Sequence, residues 1–315
     1  MKALRLYQST PVSELELSEV KKPSLKPGWA LVKIMAFGLN HSEAVFRQTE
    51  IKSDKFEKPR IIGIECVGVI EDSGDTDLKN GEKVIALMGG MGRSFHGSYA
   101  EYALLPRRIV FPVESDLSWE ALGAAPETYF TAWGSLFECL QLKEKDTLLI
   151  RGATCALGYA AIQIAGALGC RVIATTHRDS KLPLLEAADE AILDDGRLSG
   201  KVTCVTKALD LVGPRFLRDT LTAVEKGGIV CQTGLLGGVY TLNGFDPIKD
   251  IPNGVWLTGF FSNYPTQETM DAIFGFLKEK RLVPAFGEVY SFDRIADAVA
   301  AQDGGRVSGK IVVRV

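Results

Sequence analysis

Between residues 147 and 233 short apolar runs alternate with amphipathic segments, and this alternation restricts the possible folds more than any other feature of the chain. The apolar run 147–150 is followed by a small-residue turn, a helical segment at 158–168, a strand at 171–175, a helix at 181–188 and a strand at 190–193. The pattern continues with a strand at 208–212, a helix at 215–224 and a strand at 228–233. Parallel strands need crossover helices, and each helix covers one face of the sheet. The predicted fold class is therefore α/β, with a doubly wound parallel sheet of Rossmann type.

The flanks read differently. Strands at 30–36, 63–71, 82–87 and 98–105, punctuated by Gly and Pro, predict a β-rich module. Residues 119–142 carry helical apolar spacing and lead into the parallel sheet. After a strand at 255–261 and a helix at 267–280 come a short apolar stretch near Val283, strand-like residues at 288–290, a helix near 295–301 and a strand at 310–315. These last strands are too few for a domain of their own, so they are expected to return to the amino-terminal module and make it discontinuous.

A length of 315 residues, with 46% hydrophobic and 24% charged residues, suits a two-domain globular enzyme. The net charge of -3 and the absence of a Lys/Arg cluster argue against nucleic acid as a partner. No apolar run reaches the roughly 20 residues of a membrane span. Residues 1–11 read as a strand rather than a leader, so a cytoplasmic protein is expected. Six scattered cysteines without a C-x-x-C pair read as reduced thiols.

The run 148–150 leads through Arg151-Gly152-Ala153-Thr154-Cys155-Ala156-Leu157-Gly158 directly into a helix. A helix amino terminus after a tight turn presents backbone N–H groups to a pyrophosphate. Ala153 and Cys155 occupy the first two glycine positions of the dinucleotide fingerprint, and Gly158 keeps the third. The loop from Gly152 to Gly158, including Thr154, Cys155, Ala156 and Leu157, is the predicted cofactor cradle. A ligand-free strand-to-helix turn is the alternative.

NAD enzymes place an acid about 20 residues further on, at the end of the second strand. Here Thr175 and Thr176 are followed by His177, Arg178, Asp179 and, two residues later, Lys181. Hydroxyls and cations suit a 2′-phosphate, so NADPH is predicted over NADH; otherwise Arg178 and Lys181 are solvated charges. Leu211, Gly213, Gly234 and Leu235 fall at the carboxyl edge of the same sheet, where such sheets bind ligands. Phe260, Phe261 and Ser262 end the next strand, either shaping the nicotinamide pocket or packing in the core.

A set of ordered motifs now carries a resemblance: Gly38-Leu39-Asn40-His41-Ser42-Glu43, Gly63-Ile64-Glu65, Gly81-Glu82-Lys83-Val84, Gly97-Ser98-Tyr99-Ala100-Glu101-Tyr102, Thr131-Ala132-Trp133 and Gly309-Lys310-Ile311-Val312. In order and spacing the chain resembles the zinc-free, quinone oxidoreductase-like (zeta-crystallin-type) branch of the medium-chain dehydrogenase/reductase superfamily. The resemblance implies a GroES-like catalytic domain at 1–118 and 264–315, with the Rossmann cofactor domain at 119–263. It implies that Asn40 and Ile64 stand where zinc-dependent relatives have a metal-binding Cys and His. Neither side chain is a zinc ligand, and the four-cysteine structural lobe is missing, so no zinc is expected.

The resemblance also places Asn40 near the nicotinamide ribose and substrate, Thr131 at the nicotinamide end, and Lys310 as a family lysine of the last strand. The alternatives are a turn-forming Asn, a packed mid-helix Thr and an exposed strand charge. Relatives that reduce enoyl substrates carry a Tyr some ten residues after the Asn, but residues 45–56 contain none. The candidate proton donors are His41, Tyr129, Arg93 in the 88–96 loop, Tyr264 or solvent; His41 alternatively reads as a packed histidine. The expected activity is hydride transfer from NADPH to a quinone or an α,β-unsaturated carbonyl. The rivals are an enoyl-thioester reductase, a non-catalytic NADPH-binding sensor or structural protein, and a zinc alcohol dehydrogenase. The strand at 255–261 reads as a sheet edge that pairs two chains into a homodimer.

Overall fold

A computed structural model describes residues 1–315. The chain forms two compact units, one made of 1–130 and 262–315, the other of 131–261. Its strands are β1 (Lys2–Leu6), β2 (Leu17–Glu19), β3 (Trp29–Gly38), β4 (Arg60–Ile61), β5 (Glu65–Asp72), β6 (Lys83–Leu87), β7 (Tyr102–Pro106), β8 (Val110–Pro112), β9 (Thr147–Arg151), β10 (Arg171–Thr176), β11 (Glu190–Leu193), β12 (Lys207–Asp210), β13 (Ile229–Gln232), β14 (Trp256–Gly259), β15 (Phe286–Ser291) and β16 (Lys310–Arg314). The helices are α1 (His41–Gln48), α2 (Trp119–Gly123), α3 (Pro126–Trp133), α4 (Ala156–Leu168), α5 (Leu217–Thr222), α6 (Pro247–Asp250), α7 (Gln267–Glu279) and α8 (Ile295–Asp303).

The unit at 131–261 holds a sheet in the order β11-β10-β9-β12-β13-β14, with every neighbouring pair parallel. Its central strands are apolar on both faces, as crossovers on both sides require. Leu149, Ile173, Ala208 and Val230 from these strands pack with Leu217 and Leu221 of α5 in one core.

The other unit is mainly antiparallel. Its larger sheet runs β15-β16-β3-β5-β6-β8, with β7 also paired to β3, and a smaller sheet runs β2-β1-β4. β16 joins β3 with Val312 opposite Gly38 and Val313 opposite Phe37, which brings the carboxyl-terminal strand into the amino-terminal sheet. α2 lies with this sheet: a Cβ on its Gly123 would stand 3.0 Å from Ala36 Cβ and 3.2 Å from Val312 Cγ1. The α/β fold class is as predicted.

Some elements depart from the sequence pattern for identifiable reasons. The helix expected at 181–188 is instead a 3₁₀ segment at Asp179–Leu185, because Pro183 removes a donor inside it. The helical stretch 119–142 breaks at Pro126 and ends as a π turn at Gly134–Cys139. The strand expected from 98 starts only at Tyr102. Before it, a Cβ on Gly97 would lie 2.0 Å from the Gly63 carbonyl, so 97–100 follows the bent 61–64 backbone instead of a regular ladder. No helix is long and apolar enough to cross a membrane.

Candidate active site

In the parallel unit, β9 ends at Arg151 and the chain turns through Gly152, whose φ of +81° lies in the left-handed region that glycine tolerates. The Gly152 N–H donates to Thr175 Oγ1 at 3.1 Å, and the Ala153 N–H donates to the Thr175 carbonyl at 2.8 Å. Thr175 is fully buried, so it anchors the loop from beneath. Cys155 is the N-cap of α4, its sulfur accepting from the Gly158 N–H at 3.4 Å. A Cβ on Gly158 would stand 2.1 Å from the Ala153 carbonyl oxygen, so the third fingerprint glycine is a steric necessity. Ala156 and Leu157 open α4, where N–H groups have no partner within the helix.

Thr154 and Thr176 share a hydroxyl contact at 3.3 Å, and Thr176 Oγ1 also accepts the Arg178 N–H at 3.3 Å. The exposed Arg178 side chain donates through Nε to His177 Nε2 at 3.2 Å. Half-buried Lys181 is held below its ordinary value by burial and by the Arg178 charge, while Cys155 opposes the shift. Two cations therefore gather beside the loop that leads into α4.

The carboxyl edge of the sheet is equally tight. A Cβ on Gly213 would meet the Gly234 carbonyl at 2.8 Å, and one on Gly234 would meet the Leu211 carbonyl at 2.3 Å. Leu211 is buried and Leu235 half-buried. Thr131 is buried in α3. Phe260 packs on Gly134, where a Cβ would stand 2.0 Å from its ring; Phe261 is exposed and Ser262 half-buried.

Sequence reasoning missed the support beneath this edge. Arg151 is fully buried and donates to Asp194 at 2.8 and 3.0 Å, to Asp219 at 2.9 Å and to Thr220 at 3.0 Å. Asp210 accepts the Val212 and Gly213 N–H groups at 2.9 and 2.7 Å, and burial holds its carboxyl above the usual range. Arg151 thus ties the ends of β9 and β11 to α5, while Asp210 holds the turn after β12.

In the β-rich unit Asn40 is the N-cap of α1 and is buried. Its Nδ2 donates to Glu65 Oε1 at 2.8 Å, and its Oδ1 accepts from Lys310 Nζ at 2.6 Å. Lys310 Nζ also lies 2.6 Å from Glu65 Oε1, and the Glu127 N–H donates to Glu65 Oε2 at 2.7 Å. Glu43 accepts the Asn40 and Ile64 N–H groups at 2.8 Å each and the Tyr99 hydroxyl at 2.7 Å. Burial still raises the Glu43 carboxyl above its ordinary range. Burial pulls the Lys310 ammonium down, but the charges of Glu65 and Glu127 overcome it and hold the ammonium above its ordinary value.

The positions of Lys310 and His41 correct two readings. Lys310 is 2% exposed and paired, so it is not an exposed strand charge. A Cβ on Gly38 would lie 2.2 Å from Lys310 Cε, which shows how closely the lysine crosses β3. His41 is exposed at the start of α1, not packed. Arg93 is engaged elsewhere, paired with Glu50 at 3.2 Å and donating to the Ser42 carbonyl at 3.0 Å. Tyr129 is buried and its hydroxyl is pushed up by burial, whereas Tyr264 is exposed. No three His, Cys, Asp or Glu side chains converge as a metal site would need.

Residues 26–115 match the model of the alcohol dehydrogenase GroES-like domain, and residues 179–313 match that of a zinc-binding dehydrogenase. The chain is 27% identical to the quinone oxidoreductase of Rattus norvegicus, with 95% of this chain and 92% of that protein covered. The chain belongs to the medium-chain dehydrogenase/reductase superfamily, in its quinone oxidoreductase-like branch. It is an oxidoreductase of that superfamily, with a fold built to hold a nicotinamide dinucleotide. Among solved structures, it is similar to the quinone oxidoreductase of Thermus thermophilus, studied also in complex with NADPH, at 26% identity, full coverage of both chains and a TM-score of 0.80. It is also similar to an NAD-dependent alcohol dehydrogenase at 25% identity, full coverage of both chains and a TM-score of 0.86.

Proposed function

We propose that the chain is an NADPH-dependent, zinc-independent reductase that delivers a hydride to a quinone or to the β-carbon of an α,β-unsaturated carbonyl. The observation that carries the zinc-independent reading is the Asn40–Glu65–Lys310 cluster. Asn40 and Ile64 stand at the positions read as zinc-ligand sites, and the nearby carboxylate, Glu65, is already neutralised by Lys310 at 2.6 Å. A cation added there would meet an ammonium and an amide instead of thiolate and imidazole, so the donor set does not fit zinc.

The residues do fit a dinucleotide. The amino terminus of α4 and the turn at Gly152 suit a pyrophosphate, and Arg178 and Lys181 suit the 2′-phosphate of NADPH. Of the two solved structures named above, one is of an NAD-dependent enzyme and the other was studied with NADPH, so the choice rests on this chain's own cations. When bound, the reduced nicotinamide supplies the hydride. Asn40, its carboxamide fixed by Glu65 and Lys310, orients the ribose or the substrate carbonyl. Protonation of the product falls to exposed His41, to exposed Tyr264 or to solvent, because Tyr129 is buried and Arg93 is tied to Glu50. Rate acceleration then comes mainly from holding the two reactants in line.

A homodimer through β14 is part of the same reading: β14 is an edge strand of the parallel sheet, with Trp256 exposed on it and Phe261 exposed just beyond. A monomeric mass at micromolar concentration would argue against it. The activity is tested by following NADPH oxidation with quinones, simple enones and enoyl-thioesters. Turnover of quinones or enones is expected. Preference for thioesters would move the assignment to an enoyl-thioester reductase, and binding without turnover would make the chain a sensor.

A further inference from the structure

A buried guanidinium in the β-rich unit makes no hydrogen bond. Arg60 opens β4, which pairs with β1 so that Leu6 faces Arg60 and Arg5 faces Ile61. Arg60 is 3% exposed and its Nε has no partner. Its charged neighbour Glu57 stands 3.7 Å away, with a side chain 89% exposed. An arginine carries five N–H donors, and buried donors in folded proteins almost always find acceptors. A long pair to a solvated carboxylate offsets little of that cost. Burial accordingly lowers Arg60 from its ordinary value, with Glu57 opposing.

The surroundings are cationic. His96 Nδ1 accepts the Ile61 N–H at 3.3 Å, which assigns the proton of the neutral ring to Nε2 and leaves that N–H as a donor. Burial comes first among the influences that disfavour the charged imidazole. The charges of Arg60, Lys26 and Arg5 add to it, and Glu57 opposes them. Exposed Lys26 sits 4.9 Å from the centre of the Trp29 ring, which meets Phe95 edge-on at 5.1 Å. Arg5 donates through Nε to Ser18 Oγ at 3.3 Å. Arg60, Lys26 and the neutral His96 ring thus stand near the carboxylate of Glu57, and the charge of Arg5 reaches the same histidine.

We propose that Arg60, His96 and Lys26 form a binding site for a phosphate-type oxyanion, built from residues other than the cations assigned to NADPH. The anion takes the unpartnered N–H groups of Arg60 and the Nε2–H of His96, and Lys26 and Arg5 add longer-range attraction.

The chain has 3 histidines, which makes the site readable in solution. Inorganic phosphate titrated into the full chain, with ionic strength held constant by chloride, is expected to shift the His96 imidazole resonances saturably and to raise its pKa. Arg60→Met is expected to weaken this response about tenfold or more, while His177, beside Arg178, still responds to NADPH and shows that the variant is folded. Lys26→Gln, at an exposed position, is expected to weaken it by about two- to threefold. A His96 response that does not saturate, that chloride reproduces, or that survives in folded Arg60→Met would overturn the site. Equal saturation by acetate would overturn the phosphate class.

Discussion

Lys310→Met is expected to destabilise the protein by about 3–5 kcal/mol, the range for removing one partner of a buried ion pair, and to abolish most turnover. Glu65 is fully buried, and without Lys310 its charge keeps only the donors from Asn40 and the Glu127 N–H. Asn40 Oδ1 would lose its 2.6 Å donor at the same time, freeing a carboxamide that β5 and β16 now hold in one orientation. Chemical denaturation of the single variant and of Lys310→Met with Glu65→Gln separates the two effects. The double variant is expected to recover much of the stability, because no lone charge stays buried, but not the activity. Recovery of both would mean that the pair does not orient Asn40.

The pair also sets a pH dependence. The folded state holds the Lys310 ammonium above its ordinary value of 10.5. A basic group raised on folding contributes stability that is fully present below its unfolded pKa and is lost as pH rises through the folded one. Wild-type stability should therefore fall more steeply above about pH 10.5 than that of the double variant.

Arg178→Gln with Lys181→Gln is expected to raise the KM for NADPH about a hundredfold and to change the KM for NADH by less than about threefold. Each charge-assisted contact to a phosphate contributes roughly 1.5–3 kcal/mol, and salt screens exposed Arg178 enough to favour the lower end. A parallel loss for both cofactors would show that these cations support the loop and do not read the 2′-phosphate.

The parallel sheet was legible in the sequence because its strands are continuous apolar runs set between helical periods, a pattern few other folds share. The boundaries were less so. Pro183 turned an expected helix into a 3₁₀ segment, and the Gly63 and Gly97 backbones displaced a strand start by their close approach. At the candidate site, Asn40 and the loop 152–158 stand out locally, whereas Glu65, Glu43 and Arg151 owe their roles to partners far along the chain. A faint signal did exist. Glu65 and Lys310 each open a strand and run straight into apolar residues, and an unpaired buried charge is costly enough that two such residues point to each other. Arg60 gives the same signal, yet no protein carboxylate buried beside it answers.

The central claim is tested most directly by kcat/KM on one enone with NADPH and with NADH, using protein whose zinc content has been measured after chelation. Undiminished turnover without zinc and a clear preference for NADPH are predicted. Equal or better rates with NADH, or activity that follows the zinc content, would contradict the claim.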